Sequence, residues 1–171
     1  RMQGLIDNLL DFAKGHLGDG IRLKLTPNKQ ALKKLLLQVS KEIKTVDNDH
    51  KITTNIDLKD NFECDINRIG QLYSNLLGNA IKHGARNKPI STEIIAKNGT
   101  FSLAVSNSGK KIPDAKMVDL FKPFFTTNAT NNKSGLGLGL YISSEIAKAH
   151  NGKMEVKSTE EITEFKFTMP I

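Results

Sequence analysis

Three glycines at alternate positions, Gly135, Gly137 and Gly139, run straight into an amphipathic stretch that ends at Asn151-Gly152. A glycine repeat feeding a helix start limits what this part of the chain can become. It must be a turn that delivers backbone to a ligand or to another segment. Glycine has no side chain to hold an anion off, and the free N–H groups at a helix start point toward it. The stretch from Ser134 to Gly152 is therefore a candidate phosphate cradle. Asn151-Gly152 is a usual helix stop. A second stretch upstream, NLLGNAIKH at 75–83, reads as the other half of the same site.

The bulk properties narrow the field. With 171 residues, 38% hydrophobic and no Trp, the chain suits one core. No apolar run reaches the length of a membrane span, and no signal peptide is visible. The single Cys64 excludes an internal disulfide and suits a reducing compartment, so a cytoplasmic location is expected. The chain begins with Arg1 and is expected to be part of a longer protein. The net charge of +7 fits a lysine-rich solvated surface or an anionic ligand. Nucleotide phosphate is better supported than nucleic acid. Aromatics are only 6%, and no base-stacking pattern is interleaved with the lysines.

Residues 1–18 read as the end of a helix. Met2, Leu5, Leu9 and Phe12, flanked by Ile6 and Ala13, form a narrow apolar seam of the bundle kind, which needs a partner. Gly15, Gly18 and Gly20 then break the chain, and a second unit is expected over 19–171. Its pattern predicts a strand at Ile21–Leu25 and a helix from Thr26-Pro27 to about Val46. Strands follow at Lys51–Ile56 and Asn61–Cys64. Asp65 caps a helix through His83. Ile90–Lys97 and Thr100–Ser106 form a hairpin around Asn98-Gly99. A short helix covers Asp114–Leu120, a polar loop Thr126–Ser134, and a helix runs from Gly135. Strands at Lys153–Ser158 and Ile162–Met169 close the chain. The expected class is α+β: a two-layer sandwich whose mixed sheet is covered on one face by helices.

The helix from Asp65 to His83 carries two stripes. Ile66, Ile69, Leu72, Leu76 and Ala80 are apolar. Arg68, Gln71, Asn75, Asn79 and Lys82 share a polar face. Such a face is often merely solvated. Asn, however, is a poor mid-helix residue, and here it occurs twice, one turn apart. Two amide oxygens at that spacing suit a hard cation such as Mg²⁺ together with phosphate oxygens. Lys82, one turn on, suits phosphate charge. Downstream, Asn107-Ser108-Gly109 makes a tight turn after a strand. Leu120-Phe121-Lys122-Pro123-Phe124-Phe125 sets three Phe beside Pro, at least one of them for the core.

Taken in order, these segments resemble the catalytic, ATP-binding domain of sensor histidine kinases. Its superfamily includes the heat-shock chaperone ATPases, mismatch-repair ATPases and type II topoisomerases. The resemblance covers about residues 22–171, and the leading helix looks like the second helix of a kinase dimerisation hairpin. NLLGNAIKH matches the asparagine box, LFKPFF the phenylalanine box and GLGLGL the second glycine box. The resemblance implies that Asn79 is the principal Mg²⁺ ligand, with Asn75 assisting, and that Lys82 touches phosphate. It implies that Asn107 accepts from the adenine amine and that Gly109 lets the backbone approach the base. It makes 126–134 a lid over ATP, with Phe121 and Phe125 near the lid base. His83, Ile112, Thr126, Thr127, Ser134, Gly135, Leu136, Gly137, Leu138 and Gly139 complete the implied ATP site.

Three positions depart from the family pattern: Asn107 replaces an Asp, Lys111 a second Gly, and Glu160-Glu161-Ile162 a glycine-rich turn. Asn75 stands where the hydrolysing relatives carry a Glu general base, and an amide accepts no proton at neutral pH. The resemblance thus implies transfer of the γ-phosphoryl group to a His rather than to water. None of His16, His50, His83 and His150 lies in the family's acceptor context. The acceptor helix is therefore expected upstream, in a homodimer, with a response regulator receiver domain as the next partner. Two other readings share this fold. One is a non-catalytic interaction module. The other is a serine-directed kinase of the anti-sigma-factor type, against which the leading seam argues.

Overall fold

The computed structural model describes residues 9, 10, 12, 20–47, 49–126 and 136–171. Helices α1 (Lys29–Val46), α2 (Ile66–His83), α3 (Asp114–Met117) and α4 (Gly139–Ala149) accompany strands β1 (Ile52–Leu58), β2 (Ile90–Lys97), β3 (Thr100–Asn107), β4 (Lys153–Ser158) and β5 (Thr163–Pro170). The sheet order is β1-β2-β3-β5-β4. Only β1 and β2 pair in parallel, joined by the crossover through α2; the other pairs are antiparallel. This is the mixed α+β sandwich expected.

Alternation along the strands decides which face is covered. In β2, Ile90, Ile94 and Ala96 are buried while Ser91, Glu93 and Lys97 face water. Register carries that face across the sheet, setting Leu103 against both Ile94 and Phe167, and Val105 against Phe165. The helices close it with Leu32 and Leu36 of α1, Ile69, Leu72, Leu76 and Leu77 of α2, and Ile142 and Ile146 of α4. Each such side chain, fully buried, contributes about 1.5–3 kcal/mol. Tyr73, wholly buried, keeps its hydroxyl bonded to Ser40 Oγ at 2.7 Å and Thr92 Oγ1 at 3.0 Å, linking α1, α2 and β2.

Local chemistry sets most boundaries. Asp65 caps α2, its Oδ1 accepting from the Arg68 N–H at 3.1 Å. Asn98 and Gly99 both take positive φ, 56° and 74°, as a tight hairpin demands. Five expectations are corrected. Ile21–Leu25 and Asn61–Cys64 are not strands; Cys64 makes an isolated bridge with Thr26, one residue past Leu25. The Lys24 N–H that a ladder would use donates instead to Asp65 Oδ2 at 2.8 Å. Helix α1 starts later than Thr26-Pro27, because Asn28 Oδ1 accepts from the Ala31 N–H at 2.9 Å and so acts as the cap. Helix α3 stops at Met117 and continues as turns to Leu120. Helix α4 starts at Gly139, not Gly135, since Gly137 has φ +67° and cannot sit in a right-handed helix.

Of the leading segment, Leu9, Leu10 and Phe12 are described and helical. Phe12 does not face away from the domain. Its ring packs edge-on against Phe124 at 4.9 Å and Tyr141 at 5.8 Å. Met2, Leu5, Ile6, Ala13 and the break at Gly15 and Gly18 lie outside the described residues. No helix among the described residues is long and apolar enough to cross a membrane.

Buried polar groups give the fold a pH dependence. His150 is 7% exposed; its Nδ1–H donates to the Ile146 carbonyl at 2.8 Å, and its Nε2 accepts from the Asp65 N–H at 3.1 Å. Burial pushes the imidazole below its ordinary value of 6.5, outweighing the opposite pull of the Ile146 carbonyl and the Asp65 charge. The unfolded chain then binds a proton that the folded chain refuses. Stability is full above pH 6.5 and is lost as pH falls through the lowered value. Thermal unfolding from pH 7 down to about pH 5 should show a steeper loss for the parent than for His150→Gln. Equal slopes would remove His150 from the account.

Candidate functional site

A cleft of about 270 Å³ opens where β3 ends and β5 begins, between the last turns of α2, the segment leading into α3, and the start of α4. Its walls are apolar: Ile112, Leu120, Leu140 and Phe165. Its floor is polar: Asn107 and Thr163, paired across β3 and β5, are 4% and 5% exposed. Lys110, Lys111 and Lys116 supply a basic rim. Apolar walls around a few placed polar groups are the usual make-up of a small-ligand site.

Helix α2 brings two of its polar residues to this cleft, Asn79 and His83, one turn apart. The two asparagines, equivalent in the sequence, differ here. Asn75 Nδ2 donates to the Gly139 carbonyl at 3.2 Å, so this amide ties α2 to the first turn of α4. The Asn79 amide faces the cleft with no hydrogen-bond partner among the described residues. Lys82 is exposed and lies outside the cleft lining. The His83 imidazole is pushed below its ordinary value, first by desolvation and then by the Lys82 charge.

Two glycines are required by close approach. A Cβ on Gly109 would come within 2.6 Å of the His83 carbonyl, so only Gly lets the turn after β3 sit against the end of α2. A Cβ on Gly137 would meet the Phe125 carbonyl at 2.7 Å and Phe124 C at 2.9 Å. Gly137 thus seats the segment before α4 on the backbone of 124–126. Gly139 has no such need, as a Cβ there would meet only the Asn75 side chain at 3.6 Å.

The structure therefore gathers Asn79, His83, Asn107 and Ile112 directly in the cleft. Phe121 supports it from behind, edge-on to Phe165 at 6.3 Å. Phe125 and Thr126 pack on Gly137, and Leu138 is buried beneath α4, whereas Leu136 is exposed. Asn75, Lys82 and Gly139 stand outside the lining. Thr127, Ser134, Gly135 and all but the first residue of the expected lid lie outside the described residues. Sequence reading missed Lys110, Pro113, Lys116, Leu120, Leu140, Thr163 and Phe165. Alternation in β5 could have marked Thr163 and Phe165 as inward. Only the pairing with β3 shows that they share an end with Asn107.

Residues 64–171 match the family described as histidine kinase-, DNA gyrase B-, and HSP90-like ATPases, and the chain belongs to that family. Its relatives include sensor histidine kinases. It is 31% identical over 173 residues to a bacteriophytochrome of Pseudomonas aeruginosa, across 100% of this chain and 24% of that protein. It is 32% identical over 162 residues to the sensor histidine kinase YkoH of Bacillus subtilis, across 92% of this chain and 34% of that protein. The chain thus spans about a quarter to a third of the length of these relatives. Among solved structures, the catalytic domain of histidine kinase ThkA superposes with a TM-score of 0.68 at 25% identity, over 88% of this chain and 96% of that one. Full-length ShkA in complex with AMPPNP gives 0.82 at 24% identity, over 99% of this chain and 35% of that one, a likeness of fold.

Proposed function

We propose that this chain is the ATP-binding catalytic portion of a two-component sensor histidine kinase. The observation that carries the reading is the unspent Asn79 amide, held by α2 in a cleft with apolar walls and a polar floor. The complex of ShkA with AMPPNP, a protein of the same fold, supports it. The groups present fit Mg-ATP. The walls suit a purine, the floor offers hydrogen bonds to its edge, and Asn79 offers a hard oxygen to Mg²⁺. When bound, the metal neutralises developing charge on the phosphoryl oxygens. Lys82, without an ion-pair partner among the described residues, adds positive charge one turn from Asn79. His83 offers a hydrogen-bonding wall one turn from Asn79.

The reaction is transfer of the γ-phosphoryl group to a His on a dimerisation helix of the same protein, with a receiver domain of a response regulator accepting it next. Residues 1–18 would end the second dimerisation helix of a homodimer, and 19–171 would form the catalytic domain. ATP as donor places this domain in the cytoplasm. Two facts bear against hydrolysis and against acceptors within this chain. Asn75, in the position of the hydrolytic base, is an amide, which accepts no proton at neutral pH, and its Nδ2 donates to the Gly139 carbonyl. His150 has both ring nitrogens bonded, and His50 Nδ1 is held by Asp47 Oδ2 at 2.9 Å.

With labelled ATP, the chain alone should gain no acid-labile phosphate. Mixed with the acceptor hairpin of its own full-length protein, it should label that hairpin. Robust phosphohistidine on the isolated chain, mapped to any of its four His, would overturn the reading. Tight ATP binding with no labelling of any acceptor would favour a non-catalytic module.

A further inference from the structure

The floor of the cleft has more to it than an adenine acceptor, and the inference drawn here rests on the nucleotide reading above. Asn107 ends β3 and is 4% exposed. Its Nδ2 donates to the Ser108 carbonyl at 3.2 Å, and its Oδ1 has no partner among the described residues. One of the two Nδ2 hydrogens is unspent, so the amide offers a ligand both an acceptor and a donor. Beside it, the Ile112 N–H donates to Ser158 Oγ at 3.0 Å, and Ser158 Oγ lies 2.7 Å from Thr163 Oγ1. Two hydroxyl hydrogens serve that one contact; when Ser158 donates, the Thr163 hydroxyl hydrogen is left over at the cleft floor. The lining holds three lysines and no carboxylate.

We propose that Asn107 makes this site permissive at position 6 of the purine, so that it takes guanosine and inosine triphosphates within about tenfold of ATP. Adenine presents a 6-amino donor beside an N1 acceptor. Guanine and hypoxanthine present a 6-oxo acceptor beside an N1–H donor. A primary amide matches either pair by a half-turn about its last bond. The half-turn gives up the bond to the Ser108 carbonyl, which at 3.2 Å lies at the long end of the hydrogen-bond range, and turns Oδ1 toward that oxygen, which keeps its bond from the Ala85 N–H at 2.7 Å; this cost sets oxo-purines below ATP, within the tenfold. A carboxylate only accepts, and would set lone pairs against a 6-oxo oxygen. With no acid in the lining, no carboxylate faces that oxygen once the amide has turned, and Lys110 and Lys116 favour its partial negative charge.

The test is displacement of trinitrophenyl-ATP from the whole chain by ATP, GTP and ITP in Mg²⁺, for the parent and for Asn107→Asp. ITP separates position 6 from the guanine 2-amino group. GTP or ITP should compete within about tenfold of ATP on the parent, and Asn107→Asp should widen the preference for ATP by about tenfold or more. If the parent binds ATP but both oxo-purines are weaker by more than about tenfold, the proposal is overturned while the nucleotide reading stands. An unchanged preference in Asn107→Asp would also overturn it. Should that variant not fold, the parent's own ratio decides. A parent that binds no purine nucleotide would end the nucleotide reading and this inference together.

Discussion

Asn79→Ala is expected to weaken Mg-ATP binding about a hundredfold and to abolish its dependence on Mg²⁺. The proposed role gives Asn79 a charge-assisted contact in a cleft, and such contacts are worth about 1.5–3 kcal/mol, or one to two decades in affinity. Asn75, one turn away on α2, lies outside the cleft lining, with its Nδ2 donating to the Gly139 carbonyl. The comparison variant is therefore Asn75→Ala. It should weaken binding with and without Mg²⁺ by similar factors, because it frees the start of α4 rather than removing a metal contact. Calorimetric titration of both variants, with and without Mg²⁺, separates the two roles. Equal affinity with and without the metal in the parent and in Asn79→Ala would reject the metal role.

Gly137→Ala is expected to lower stability by about 2–5 kcal/mol, combining left-handed strain with overpacking. The φ of +67° is one that L side chains rarely adopt. The added Cβ would meet backbone atoms, the Phe125 carbonyl at 2.7 Å and Phe124 C at 2.9 Å, and backbone has no rotamer to give way. Phe124 itself takes φ +61°, so the segment that would have to yield is already constrained. In a domain of this size the melting temperature should fall by about 5–15 °C. Gly139→Ala is the control, since its Cβ would meet only the Asn75 side chain at 3.6 Å. Thermal unfolding that showed the same loss for both would mean that close approach at Gly137 does not explain the repeat, since the lower unfolded-chain entropy of Ala by itself stabilises.

Much of the fold was legible where the deciding interaction is local. The Asp65 cap and the Asn98-Gly99 turn each act within a few residues, and α2 and the β2–β3 hairpin fall where the sequence puts them. Segments whose backbone donors are taken by distant groups were not legible. Lys24 and Asp65 meet only in the folded chain, and their bond is what leaves Ile21–Leu25 without a ladder. The floor of the site is a case of the same kind. Asn107 could be suspected from the chain, but Thr163 joins it only through the pairing of β3 with β5.

By itself, the sequence determined the family, the asparagine helix and the glycine entry to α4, because each is written in residue type and helical spacing. It could not separate Asn75 from Asn79, nor Gly137 from Gly139. Spacing puts both members of each pair on one face or in one turn. Only the tertiary structure decided that one Asn braces α4 while the other faces the cleft, and that one glycine touches backbone while its neighbour does not. The physical reason is that a hydrogen bond or a steric contact needs its second partner. For these four residues, that partner comes from another element of the fold.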